Sequence, residues 1–171
     1  MALHLIIDGY NLIRQSPWLS RLDARDLEEG RRALLECLGQ YHRKKPAHRL
    51  TVVFDGWQGG EPRENRDYFQ GIAIIYSRRG ERADEVVKRL AAREGTRAVV
   101  VTSDREIQDF AAQKGATWVE AREFESRCLT PTLGAGAPEA EDDPPGPPLK
   151  KGPSRRLSKK ARQKQQRLRK L

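Results

Sequence analysis

Only two cysteines, Cys37 and Cys128, occur in the 171 residues. They have no metal-ligand spacing and no secretory context, so the sequence points away from a disulfide scaffold or a zinc site and toward a reduced cytoplasmic protein. No apolar run approaches the length of a membrane span, and nothing before Leu3 resembles a signal peptide, so no membrane role is expected. Apolar residues are scarce at 37%, while charged residues reach 33%. That balance still allows one domain with a real core, but leaves little room for a second.

Acids are missing from one region altogether. Residues 150–171 hold eleven Lys and Arg, from Lys150 to Lys170, and no Asp or Glu. Of the 33 basic residues this leaves 22 against 24 acids in residues 1–149. The body is therefore near −2 and the tail +11, and the sequence pI of about 9.9 belongs to the tail. Clustered positive charge draws polyanions through counterion release, so RNA, with the ribosome as one RNA-rich partner, is the expected contact of tail residues such as Lys159, Lys160 and Arg162. The tail is expected to be disordered, with too few apolar residues to fold alone, though it could become a basic helix on a partner. The plain alternative to an RNA contact is a solubilising tail with no single partner.

What is present in the body is alternation. Apolar segments at 3–8 (LHLIID), 49–55 (RLTVVFD), 72–77 (IAIIYS), 97–104 (RAVVVTSD) and 116–120 (ATWVE) read as five strands. Helical spacing or helix signals mark 23–45, 83–95, 105–115 and 121–129, with Gly95 and Gly115 closing two of these helices. Residues 56–71 have three glycines before Pro62 and no period, so they read as a loop. Such alternation implies an α/β fold, a mostly parallel five-stranded sheet between two helical layers. The domain limits expected are 1–129 for the body, 130–149 for a Pro/Gly/acidic linker and 150–171 for the basic tail.

Three of these strands end in a carboxylate: Asp8, Asp55 and Asp104. In an open parallel sheet ligands bind beyond the carboxyl ends of the strands, so these acids should meet at one crevice, with Glu81 and Asp84 arriving from the segment before a helix. Gathering carboxylates raises their mutual repulsion, and a hard divalent cation such as Mg²⁺ or Mn²⁺ relieves it. Such a cation can also activate water for attack on a phosphodiester. Each acid has a bland alternative, as an N-cap or a turn former. Asn11 is either a cap or a holder of phosphate or water, and Ser103 either a donor near Asp104 or a turn serine. Trp57, Arg63, Arg66 and Tyr68 in the long loop suit stacking and contact with unpaired RNA, or ordinary loop packing.

The segments "IIDGYNLI", "VVFDGW", "GERADEVV" and "VVVTSDREI", in this order, resemble the YacP-like branch of the NYN domains, within the wider PIN-like nuclease fold. The resemblance spans roughly residues 3–128 and leaves the basic tail outside. It implies a three-layer α/β/α sandwich with the five strands in the order 3-2-1-4-5, and Mg²⁺- or Mn²⁺-dependent cleavage of RNA. It places Asp8, Asp84 and Asp104 at the family's acidic metal positions, Asn11 in its Asp-Gly-Tyr-Asn motif, and Glu81 at the acid before Ala-Asp. Arg82 stands where Thr is expected.

The reading that follows is a metal-dependent endoribonuclease, with ribosomes among its candidate partners, that leaves a 5′-phosphate and a 3′-hydroxyl. Its competitor is a non-catalytic RNA- or ribosome-binding protein with an acidic cluster. A phosphatase of small phosphoesters shares the carboxylates but has little use for eleven tail cations.

Overall fold

The computed structural model describes residues 2–56, 62–129 and 158–171. Strand β1 (His4–Asp8) lies at the centre of a sheet because Leu5, Ile6 and Ile7 are all fully buried, alternating between its two faces. It runs parallel to β2 (Arg49–Phe54) on one side and β5 (Ala98–Val101) on the other. Beyond β2 come β4 (Ile72–Tyr76), parallel, and β3 (Asn65–Phe69), antiparallel; beyond β5 comes β6 (Thr117–Val119), parallel.

The sheet thus has six strands in the order β3-β4-β2-β1-β5-β6. The five strands read from the sequence keep their expected order, and β3 is added at one edge. The region read as a loop holds this strand, Asn-Arg-Asp-Tyr-Phe, whose side chains are almost all exposed, so no apolar alternation announced it. It is joined to β4 through Gln70 and Gly71, both at positive φ (48° and 83°). That pair of left-handed residues makes a tight hairpin whose twist matches the strands it joins.

Helices cover both faces. Leu5, Ile7, Val52, Phe54, Ile74, Val99 and Val101 form one core with α1 (Gly9–Gln15), α2 (Pro17–Arg25), α3 (Leu27–Lys44) and α6 (Ala121–Cys128). Ile6, Val53, Ile75 and Val100 form the other with α4 (Ala83–Glu94) and α5 (Arg105–Gln113). The expected helix over 23–45 divides at Asp26. Ser16 caps α2 and Pro17 opens it, and the extended Asp26 (φ −155°) ends α2 while its carboxylate accepts from Glu28 N at 2.9 Å to start α3. Leu27 therefore sits at the first helical position and is 47% exposed.

The end of the tail also departs from expectation. Among residues 158–171 the chain forms α7 (Lys159–Leu168), capped by Ser158 Oγ, which accepts from Ala161 N at 3.3 Å. One face of it docks: Leu168 and Leu171 pack against the first core, Lys164 Nζ sits 3.2 Å from the centroid of the Trp118 ring, and Arg167 Nη1 donates to Thr117 Oγ1 at 2.8 Å. The segment carries few apolar residues, but long cationic side chains bury their stems, which completes the docking face. Gly115 O and Thr117 lie at the start of β6, so α7 covers that edge strand at the end of the sheet away from the carboxyl ends. Residues 130–157, which include the expected linker and the first part of the tail, lie outside the described residues.

Candidate active site at the carboxyl ends of the strands

Three acids of the expected set, Asp8, Asp84 and Asp104, sit at or just inside a helix start that follows a strand. Asp8 ends β1 and caps α1, its Oδ1 accepting from Asn11 N at 3.4 Å. Asp104 follows β5 and caps α5, its Oδ1 accepting from Glu106 N at 2.8 Å. Asp84 lies in the first turn of α4. Three helix N-termini thus point at one place, and their positive ends offset part of the repulsion among the carboxylates.

These acids line one small cavity of about 160 Å³, together with Asp55, Tyr10, Asn11, Arg14, Arg82 and Ala83. Asp55 is held from β4's side by Ser77 Oγ, which donates to its Oδ1 at 3.4 Å and accepts from Gly56 N at 3.0 Å. Asn11 joins the two main turns: its Oδ1 accepts from Ser103 N at 2.8 Å, tying the turn after β1 to the turn after β5. Ser103 Oγ in turn accepts from Ala121 N at 3.3 Å, so its hydroxyl is turned toward α6.

Beneath the cavity lies an aromatic floor. Phe54 packs edge-on to Tyr10 at 5.2 Å between centroids and stacks on Tyr76 at 5.7 Å. A Cβ at Gly9 would come within 2.5 Å of the Phe54 ring, so only glycine lets the turn after Asp8 settle on this floor. Burial pushes the Asp8 carboxyl up to about 6, against the Asn11 hydrogen bond, with the charges of Asp104 and Asp84 adding to the rise. The fold thus disfavours the ionised form of Asp8 relative to water.

Glu81 does not line the acid cavity. It is held by Arg89 Nη1 at 2.6 Å and Arg78 Nε at 3.6 Å, in a neighbouring cleft. Arg66 pairs with Glu64 at 2.9 Å on the exposed β3 side, Tyr68 is 73% exposed, and Arg63 lines a cavity with Arg78 and Arg89. Trp57 lies outside the described residues. Lys159, Lys160 and Arg162 are carried by α7 on the β6 edge and do not reach the acid cavity.

Two cations at the cavity escaped the sequence reading as site residues, Arg14 and Arg82, as did Tyr10. Arg14 stands three residues after Asn11, one helical turn along α1, a spacing that would have pointed to it had α1 been read as a helix from Gly9.

The donor set suits a hard cation. Among the described residues no three His, Cys, Asp or Glu side chains are grouped closely enough to hold an ion between them. Mg²⁺, however, is usually bound by one or two carboxylates and keeps several waters. Four aspartates around a polar cavity, one of them buried and short of charge compensation, meet that requirement.

The model of the YacP-like NYN domain matches residues 5–170. The match includes the basic tail, beyond the 3–128 span of the motif-based resemblance. The chain is 32% identical over 125 residues to "Uncharacterized protein YacP" of Bacillus subtilis (strain 168), covering 70% of this chain and 71% of that protein. It is similar to a crystal structure of Rae1 (YacP) from Bacillus subtilis that carries one tryptophan-to-leucine substitution, with a TM-score of 0.59 and 31% identity over 72% of this chain and 73% of that one. A second crystal structure of Rae1 (YacP) from Bacillus subtilis gives a TM-score of 0.58 and 28% identity over 74% and 72%.

Proposed function

The chain belongs to the YacP-like NYN domain family, a PIN-like nuclease family, and on that premise we propose that it is a Mg²⁺- or Mn²⁺-dependent endoribonuclease. Membership implies a nuclease or RNA-related role. The observation that supports the finer reading is the convergence of Asp8, Asp55, Asp84 and Asp104 on one cavity at the carboxyl ends of the strands.

Asp8, Asp84 and Asp104 would hold the cation, with Asp55 beside them. The bound ion supplies activation of the attacking water and neutralisation of charge on the phosphodiester. The remaining work falls to the chain itself. Asn11 locks the turns that carry Asp8 and Asp104 in register, so the two carboxylates do not drift apart. Arg14 and Arg82, on the rim of the same cavity, offer positive charge to the nonbridging oxygens of the scissile phosphate. Water attacks phosphorus in line with the leaving 3′-oxygen, giving a 5′-phosphate and a 3′-hydroxyl. The tail's cations support contact with RNA, or with the ribosome as an RNA-rich partner.

One observation favours the competing, non-catalytic RNA- or ribosome-binding reading: Asp8 and Asp104 already serve as helix caps. The deciding experiment is cleavage of a mixed RNA pool, with Mn²⁺, with EDTA and with ribosomes added, by wild type and by Asp8→Asn/Asp104→Asn. Cleavage that needs both metal and both acids is expected. Tight RNA binding without cleavage under any condition would select the binding protein.

A further inference from the structure

Beside the acid cavity lies a second, larger cleft of about 890 Å³, and the two share Arg82. Five cations line it, Arg78, Arg79, Arg82, Lys88 and Arg89, against two acids, Glu81 and Glu85. It lies where the loop after β4 meets α4 and α5, next to a smaller cavity that adds Arg63. We infer that this cleft is the binding site for the phosphate backbone of single-stranded RNA beside the scissile bond, with Arg82 as the junction between binding and cleavage. The inference rests on the endoribonuclease reading for the cleavage step only.

The charges are arranged for exchange. Arg89 is held by Glu81 and Glu64, Arg78 by Glu81, and Lys88 by Glu85 and Glu106, so these side chains are already oriented in the unliganded protein. Arg79 and Arg63 have no ion pair among the described residues. Arg82 is 74% exposed at its side chain and only 3.6 Å from Asp84, a weak surface pair that a phosphate can displace.

Arg82 is the N-cap of α4 and makes no side-chain cap bond, as Glu120 makes none for α6, whereas α1, α2, α3, α5 and α7 are capped by Asp8, Ser16, Asp26, Asp104 and Ser158. Forgoing a Ser, Thr, Asn or Asp cap costs a helix stability. A residue that departs from local preference at the rim of an active site is better explained by what it contacts there than by folding.

Phe110 sets the kind of RNA. It lines the same cleft from α5, half-buried, with Lys114 Nζ 5.5 Å from its ring centroid. A flat ring beside phosphate-binding cations offers a stacking face that only an unpaired base can reach. A duplex presents its backbone but not its base faces, so it should gain from the cations and not from Phe110.

The test is RNA binding by the full chain carrying Asp8→Asn/Asp104→Asn, so that cleavage does not intervene. The probes are a short unstructured RNA and its duplex, titrated at several salt concentrations. Arg79→Ala/Arg82→Ala should weaken single-strand binding about tenfold and lower the salt slope by about 1.4, the release expected for two phosphate contacts. Phe110→Ala should weaken the single strand several-fold and leave the duplex unchanged. Arg21→Ala/Arg25→Ala, exposed cations of α2, serve as the control and should change neither.

Unchanged affinity and slope for Arg79→Ala/Arg82→Ala would overturn the proposal, as would an equal loss in the control pair. Equal effects of Phe110→Ala on both probes would overturn the assignment to unpaired RNA. Arg79, Arg82 and the control positions are exposed, and a thermal melt checks that Phe110→Ala remains folded. The two readings fail separately. Metal-dependent cleavage with cleft variants that bind normally removes the cleft alone; cleft-dependent binding by a wild type that cleaves nothing removes the nuclease alone.

Discussion

The acid cavity and the α7 docking site stand at opposite ends of the sheet, and they are built by different rules. At the carboxyl ends, Asp8 and Asp104 are each placed by a local step: a strand stops, a helix starts, and the acid caps it. At the β6 edge, every contact is long-range: Lys164 with Trp118, Arg167 with Thr117, Lys45 Nζ with Lys170 O at 3.1 Å. Local rules leave a mark in the sequence and cross-chain pairs of this kind do not. The first site should therefore break through loss of chemistry, and the second through small changes in docking.

The largest expected effect is on the acid side. Asp8→Asn or Asp104→Asn should reduce metal-dependent RNA cleavage by about a hundredfold or more, since loss of even an outer-shell partner of a metal costs about 10–100-fold. Both variants should stay folded, because Asn caps helices nearly as well as Asp. Single-turnover cleavage with Mn²⁺, alongside a circular dichroism melt, checks both halves.

Asp8→Asn should also do something that a purely structural acid would not: stabilise the metal-free protein. With a folded pKa of about 6 against an ordinary 3.8, the carboxylic acid is favoured in the fold and the carboxylate is not. Well below pH 3.8 Asp8 is protonated in both states and costs nothing; as the pH rises from there through 6, wild type loses stability that the Asn variant keeps. At pH 8 and without metal the variant should be more stable by up to about 3 kcal/mol, and the gap should close as the pH falls below 3.8. Added Mg²⁺ or Mn²⁺ should raise the wild-type Tm and leave the variant's unmoved. Equal pH profiles for the two proteins would contradict the account of Asp8 as an uncompensated charge.

How much of this was legible follows from which residues carry each element. The four inner strands announce themselves through Val, Ile and Leu and the edge strand β6 through Trp118 and Val119, and their order follows once strand ends and helices alternate. Asp8, Asp84 and Asp104 were legible because each stands beside its strand or helix signal. β3 was not, since Asn65 to Tyr68 point to solvent and carry no apolar pattern. Glu81 reads as a partner of Asp84 in sequence, yet the turn before α4 sends it to Arg89 and Arg78 instead. Arg14 was legible only with α1 read as a helix from Gly9, and Arg82 needed the third dimension, because nothing in a string of letters says which surface arginine of a loop shares a cavity with acids.

A middle-sized effect tests the floor under the acids. Gly9→Ala puts a methyl within 2.5 Å of the Phe54 ring, a contact that the surroundings must yield to. Overpacking of this kind costs about 1–3 kcal/mol, and it moves the turn that carries Asp8. Lower Tm should come with weaker metal-induced stabilisation. A pairing with Phe54→Leu, which makes room beneath the turn, should recover part of both.

The smallest expected effect lies at the other end of the strands. Lys164→Gln removes the cation over Trp118 but keeps much of the stem that packs there. A cation–π contact of this exposure is worth about 0.5–1 kcal/mol, so α7 should open about two- to fivefold more often. Trypsin should then cut within Lys159–Leu168 faster by the same factor, while the Tm of the body and RNA cleavage by the acid cavity stay at wild-type values. A matching loss of cleavage would mean that the two ends of the sheet are coupled. The separation of the acid cavity from the tail's docking edge rests on their independence.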